Sequence, residues 1–189
     1  METLSTKESP ENSVVSHQLV YNPNKPWLAI PGATSEQELD WLHMNAYDKN
    51  KIYEIGSFLG RSTVALLESG SPVIAVDDFF GNREDKMTAG YRKTIYDQFL
   101  ANTKAYKNLR ILKLDHEDFV PHTDCDMVFI DGSHLYDHVV RDILKFRNHK
   151  NILICGHDFS WWNSVRAAVM KLFRGRFQLI GPNLWYVRQ

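Results

Sequence analysis

The densest run of chemically useful side chains is Glu54-Ile55-Gly56-Ser57-Phe58-Leu59-Gly60-Arg61-Ser62-Thr63. Gly56 and Gly60 let the backbone turn sharply and approach a ligand closely. The amides of a helix starting at Arg61 would point at that ligand. The spacing is Gly-x-x-x-Gly, so the dinucleotide fingerprint Gly-x-Gly-x-x-Gly is not met, and no Gly-Lys-Ser/Thr follows to make a phosphate loop. Taken alone, a plain tight turn explains the glycine pair equally well. Asp77, however, stands 21 residues beyond Gly56, at the end of the next apolar run. An acid there can accept both hydroxyls of a ribose. Together the two signals favour an adenosine-containing ligand.

Four further apolar runs also end in polar groups: Asp77-Asp78, Asp115-His116, Asp131-Gly132-Ser133-His134 and His157-Asp158. If these runs are parallel strands, all five clusters converge on one rim of a sheet, which is where open α/β sheets bind ligands. His134, just past the fourth strand, is the first candidate for a base titrating near neutral pH. A hydrogen-bonded structural histidine is the equal alternative. His17, His43, His122, His138 and His149 read as surface or core residues.

The elements that must carry these residues alternate along the chain. Ser35 and Glu38 form a capping box, followed by Leu39, Leu42, Ala46 and Tyr47 at helical spacing. The pattern predicts strands at 51–55, 72–77, 109–114, 126–130 and 151–155. Helices are predicted at 61–69, 91–106, 135–147 and 163–173, with Leu144 among the inward residues of the third. Two closing strands, 177–180 and 184–187, flank Gly181-Pro182-Asn183. The expected fold is α/β: a Rossmann-like, doubly wound, mostly parallel sheet with an antiparallel C-terminal hairpin and helices on both faces. Residues 1–16 read as a flexible tail and 17–189 as one domain.

The chain has 189 residues, 43% of them hydrophobic, and a net charge of −1. That composition excludes whole-chain disorder and a fibrous chain. It also disfavours a nucleic-acid binder, which would carry a marked basic excess. No apolar run is long enough to span a bilayer, and the N-terminus lacks a signal-peptide core, so a cytoplasmic protein is expected. Residues 159–189 hold five Arg/Lys and no acid, which reads mostly as a solvated face. Cys125 precedes the fourth strand and Cys155 ends the fifth, at opposite ends of neighbouring strands and beyond disulfide reach. Two free thiols are expected.

These motifs resemble a class I S-adenosylmethionine (SAM) dependent methyltransferase. More narrowly, they are similar to a small methyltransferase family in which Ile-Pro-Gly and a helix precede Glu-Ile-Gly-Ser-Phe-x-Gly-Arg-Ser-Thr. Here those are Ile30-Pro31-Gly32 and residues 54–63. The family's Ile-Asp-Gly-x-His-x-Tyr appears as residues 130–136, its His-Asp-aromatic as His157-Asp158-Phe159, and its closing run as Leu184-Trp185-Tyr186-Val187-Arg188. The resemblance covers about residues 28–189. It implies that Glu54, Gly56, Ser57, Phe58 and Gly60 hold the methionine part of SAM. Asp77, or less favourably Asp78, would bind the ribose, and Asp115 and His116 would lie beside the adenine. Ser62 and Thr63 would cap a helix or touch the ligand. Asp131 would orient the cofactor.

Metal-dependent relatives place their ion between an acid after strand 4 and an acidic pair after strand 5. The matching positions are Asp131 and His157-Asp158, where His157 departs from the acidic pair. A His with two Asp accepts Mg²⁺ and suits Mn²⁺ somewhat better. The alternative is that these residues orient SAM and cap helices with no metal.

The implied reaction is methyl transfer to a small-molecule acceptor, a hydroxyl foremost, with His134 as base and Asp131 beside it. The loop 78–90, with Phe79, Phe80, Arg83 and Lys86, could close over that acceptor or be a plain surface loop. One of Trp161 and Trp162 could line its pocket, because adjacent residues of a helix cannot both face inward. Two other readings stand: an oxidoreductase or hydroxylase-like enzyme on the same fold, and a non-catalytic SAM-binding protein. So short a chain leaves little room for a substrate domain, and a homo-oligomer in which two copies pair to complete the site is one open arrangement.

Overall fold

The computed structural model describes residues 24–81, 88, 90–121 and 125–189. The tail 1–16, His17, His122, Arg83 and Lys86 lie outside the described residues. Seven strands form one sheet in the order β3-β2-β1-β4-β5-β7-β6. They are β1 Ile52–Ile55, β2 Val73–Asp77, β3 Leu109–Lys113, β4 Met127–Ile130, β5 Leu153–Gly156, β6 Gln178–Ile180 and β7 Leu184–Arg188. The first five are parallel, while β7 runs antiparallel to β5 and to β6. The helices are α1 Glu36–Ala46, α2 Arg61–Leu67, α3 Ile95–Thr103, α4 Tyr136–Phe146 and α5 Asn163–Phe173.

Strands that are apolar apart from Glu54 force this arrangement. β1, β4 and β5 are buried along their whole length, as strands covered on both faces must be. Alternate residues feed two cores. Ile52, Met127, Phe129 and Leu153 pack with Leu39 and Leu42 of α1, Val64 of α2 and Phe99 of α3. Tyr53, Val128, Ile130 and Ile154 pack with Val139 and Ile143 of α4 and Val165 and Val169 of α5. Helices therefore cover both faces.

The chain reverses its winding between β1 and β4, and their carboxyl ends meet closely. Gly56 has φ +86°, and a Cβ there would lie 2.4 Å from the Asp131 carbonyl oxygen and 2.5 Å from Gly132 Cα. Only glycine serves at that point. On α1, Ser35 accepts from the Glu38 amide while Glu38 accepts from the Ser35 amide, completing the capping box.

Three details differ from the sequence reading. α3 begins at Ile95, because Tyr91–Thr94 form turns. Leu144 is exposed, and Asp142 and Phe146 take the buried positions on α4. Trp161 and Trp162 precede α5 in extended or turn backbone, so the helical argument against both facing one way does not apply. Both cysteines are buried, and neither forms a disulfide among the described residues. Among the described residues no helix is long and apolar enough to cross a membrane.

Candidate active site

A cavity of about 590 Å³ opens at the carboxyl ends of the parallel strands. That volume lies within the range of small-molecule sites. Of the residues singled out in the sequence, Gly56, Ser57, Phe58, Ser62, Asp77, Asp78, Asp115, His116, Asp131, His134, His157 and Asp158 all line it. Trp161 and Trp162 both line it too.

Glu54 does not. Its carboxylate is fully buried behind the turn and accepts from Ser57 Oγ (2.8 Å), Ser62 Oγ (2.7 Å) and Thr63 Oγ1 (2.5 Å). Burial pushes this carboxyl up to about 7 against the opposing pull of the three hydroxyls. Glu54 thus ties the glycine turn and the first turn of α2 to the middle of the sheet. Ser62 and Thr63 consequently do not cap α2, whose N-cap is Gly60 with φ +91°.

Asp77 is engaged in a similar way. Its Oδ2 accepts from the amides of Ser57 (2.7 Å) and Phe58 (2.9 Å), and its Oδ1 from Phe79 (2.5 Å). Burial raises its pKa, partly offset by those amides. Asp78 accepts only from the Phe80 amide among the described residues, at 2.8 Å. The sequence ranked Asp77 above Asp78 for a ribose. In the structure Asp77 is occupied with shaping the glycine turn, and Asp78 keeps the greater capacity to accept from a ligand.

At the β4 and β5 ends five side chains form a chain of contacts. His134 Nε2 meets Asp158 Oδ2 at 2.6 Å. Asp158 Oδ1 lies 3.3 Å from His157 Nδ1, and Asp131 Oδ1 lies 3.8 Å from the same nitrogen. His157 Nε2 lies 3.3 Å from Glu38 Oε2. Burial alone would discharge His157, but Asp131, Asp158 and Glu38 surround it and hold its pKa well above the usual imidazole range. Burial would likewise raise Asp158 and Glu38. The hydrogen bonds from His134 and His157 bring Asp158 far down, and those from His157 and Ser35 bring Glu38 down to about 2. Asp131 is shifted up by burial and by neighbouring Asp158, despite the His157 charge. Trp162 stacks on the His134 ring at 4.3 Å, and Ser164 Oγ donates to the His134 carbonyl.

Glu38 is the residue of this chain that sequence reasoning missed. Its capping-box spacing explains its contact with Ser35, and nothing local signals its reach to His157. It also accepts from the Leu184 amide, at 3.2 Å, so it joins α1 to β7 and to the site.

Asp131, His157 and Asp158 each offer a ligand atom within 4.8 Å of the others. The donor set fits a divalent ion. Glu38 on Nε2 would orient His157 to ligate through Nδ1, and His134 on Asp158 Oδ2 would leave Oδ1 as the ligating oxygen. Carboxylate-oriented histidines are the usual arrangement around metals.

Residues 53–159 match a family model described as a methyltransferase domain. The chain belongs to this family, and its fold is that of class I SAM-dependent methyltransferases. No curated protein sequence matches the chain. Among solved structures, the calicheamicin methyltransferase CalS11 is similar at 15% identity, covering 79% of this chain and 76% of its own, with a TM-score of 0.60. An O-methyltransferase from Bacillus cereus in complex with S-adenosylhomocysteine (SAH) is similar at 16% identity, with coverages of 85% and 84% and a TM-score of 0.58. A tRNA (m1A58) methyltransferase from Aquifex aeolicus reaches a TM-score of 0.60 at 12% identity, with coverages of 84% and 70%. At these identities the likeness shows the shared fold.

Proposed function

We propose that the protein transfers the methyl group of SAM to a hydroxyl of a small molecule, with His134 as the base. The observation that carries this is the 2.6 Å pair of His134 Nε2 and Asp158 Oδ2 on the wall of the cavity that the glycine turn enters. SAM would lie along the β1 and β2 ends. Its ribose would meet Asp78, its adenine would lie near Asp115 and His116, and its methionine part would follow Gly56–Gly60.

Methyl transfer from a sulfonium is an in-line displacement, so most of the catalysis is alignment of nucleophile, methyl and sulfur. The enzyme must also take the acceptor's proton. Asp158 on Nε2 puts the ring proton there and the basic lone pair on Nδ1. As the proton arrives at Nδ1, the Asp158 carboxylate stabilises the imidazolium. His157, itself held by Glu38, and the stacked Trp162 keep that pair in place. The oxygen's lone pair forms the new O–CH₃ bond, the old S–CH₃ electrons return to sulfur, and neutral SAH leaves.

Asp131, His157 and Asp158 would hold Mg²⁺ or Mn²⁺, with His157 favouring the latter. Bound there, such an ion supplies charge that lowers the pKa of a nearby hydroxyl. The near-zero net charge and the cavity form support a small acceptor over a nucleic acid. Nearby Phe80 and Trp161 are exposed at 71% and 56%, giving the acceptor an apolar wall to lie on.

The test is transfer of isotope-labelled methyl from SAM to a panel of hydroxylated metabolites, with wild type, His134→Ala and Asp158→Asn. Label in an ether product, lost roughly 100-fold or more in both variants while SAM binding persists, is the expected result. Label transfer unaffected by His134→Ala would overturn the role of the base.

A further inference from the structure

We propose that His116, Glu117 and His138 form a binding site for a borderline divalent ion of the Zn²⁺ class, at the end of the cavity given above to the adenine and apart from the His134–Asp158 pair. One donor atom of each residue lies within 4.8 Å of the other two. Small side-chain rotations would bring all three onto one ion at the usual distances of about 2.0–2.2 Å. Two imidazoles and one carboxylate suit Zn²⁺ and its neighbours far better than Mg²⁺, and they leave coordination positions open.

The surroundings orient the donors. His116 Nδ1 lies 2.8 Å from Asp142 Oδ2, and the Asp142 side chain is 1% exposed. The contact lacks hydrogen-bond alignment, so the buried Nδ1 has no hydrogen-bond partner among the described residues. The carboxylate charge beside it still favours the ring proton on Nδ1 and the lone pair on Nε2, the tautomer a ligating histidine needs. Asp142 is fixed in turn by Lys145, whose Nζ lies 3.0 Å from Oδ1 and also donates to the His116 carbonyl. His138 stands on the first turn of α4, with its ring centroid 5.2 Å from that of His116. Its Nε2 meets Glu117 Oε1 at 2.9 Å. Its Nδ1 is buried and has no hydrogen-bond partner among the described residues. His138 therefore has a ring nitrogen to give. Arg141 Nη2 also lies 2.9 Å from Glu117 Oε1, but an exposed pair of this kind is weak and easily displaced.

His116 and His138 line the cavity at its β3 end, and the more exposed Glu117 stands outside it. An ion bound here would face both the cavity and solvent. The inference does not rest on the methyl-transfer reading, because the donors are defined by their own geometry.

The test is calorimetric titration of the metal-free protein with Zn²⁺, and with Co²⁺ as a spectroscopic probe, for wild type, His138→Ala, Glu117→Gln and Asp131→Asn. Glu117 is on the surface, so Glu117→Gln keeps the fold even if His138→Ala does not. The expected result is a Zn²⁺ equivalent with visible Co²⁺ absorption that weakens about tenfold or more in both His138→Ala and Glu117→Gln and persists in Asp131→Asn. A plain ion-pair cluster, with no Zn²⁺ bound or with binding indifferent to Glu117→Gln, would overturn the proposal.

Discussion

Glu38 Oε2 lies 3.3 Å from His157 Nε2, although 119 residues separate the two in the chain. Both side chains are almost wholly inaccessible, at 2% and 1% exposure. A buried carboxylate beside a buried imidazolium is stable only while both stay charged and paired. The folded pKa of Glu38, about 2, is below its ordinary 4.5. Its contribution is therefore fully present above pH 4.5 and lost as pH falls toward 2, an amount of roughly 3 kcal/mol. Denaturant melts of wild type should weaken steeply from pH 5 to pH 2.5. Glu38→Gln should start less stable at pH 7 and show a shallower acid limb. Parallel curves would contradict the pairing.

Glu54 works in the opposite sense. Its folded pKa is raised to about 7, so the native state binds a proton more tightly than the unfolded chain. The stability it brings is present below pH 4.5 and is lost as pH rises through 7, again roughly 3 kcal/mol. Glu54→Gln should flatten the stability profile between pH 5 and 8. Glu54→Ala should cost more at every pH, about 2–4 kcal/mol, because three buried hydroxyls lose their acceptor. A wild type whose stability rises from pH 5 to 8, with Glu54→Gln following it, would be inconsistent with this account.

Gly56→Ala tests the closure of the sheet at the site. The added Cβ meets Asp131 and Gly132 backbone atoms at 2.4–2.6 Å, at a φ of +86°. No flexible side chain can yield there. A loss on the order of 4 kcal/mol or more, or failure to fold, is expected. Gly70→Ala, whose Cβ would meet nothing within 4 Å and which shares φ +86°, supplies the control. It should cost only about 1–2 kcal/mol, the strain of the left-handed backbone. Equal melting temperatures for the two variants would refute the close approach.

His134 and Asp158 should behave as a unit in kinetics. Once an acceptor is in hand, either single substitution should lower kcat by about 100-fold or more, and the double variant should be little worse than either alone. The KM for SAM should move little. Multiplicative losses would mean that the two residues act separately.

The fold was legible because its signals are local. Continuous apolar runs ending in polar clusters mark β4 and β5, a short run broken only by Glu54 marks β1, and Ser35 with Glu38 marks the start of α1. What stayed hidden depends on side-chain direction or long range. Glu54 sits in a motif that suggested ligand contact, yet pleat direction turns it into the core beside Ser62 and Thr63. Asp77 and Asp78 are adjacent acids, and only the folded turn shows that the first is taken up by backbone amides. Trp161 and Trp162 read in sequence as helical neighbours, but the helix begins after Trp162. The ties from Glu38 to His157 and to Leu184 join distant segments and leave no mark in the local pattern.

The most direct test of the central claim is calorimetric titration with SAM and SAH, with NAD as control, on wild type and Asp78→Ala. The account predicts micromolar binding of SAM and SAH, none of NAD, and a roughly tenfold or greater loss in Asp78→Ala, the effect of removing one charged hydrogen-bond acceptor. Absence of SAM binding, or an affinity indifferent to Asp78→Ala, would contradict it.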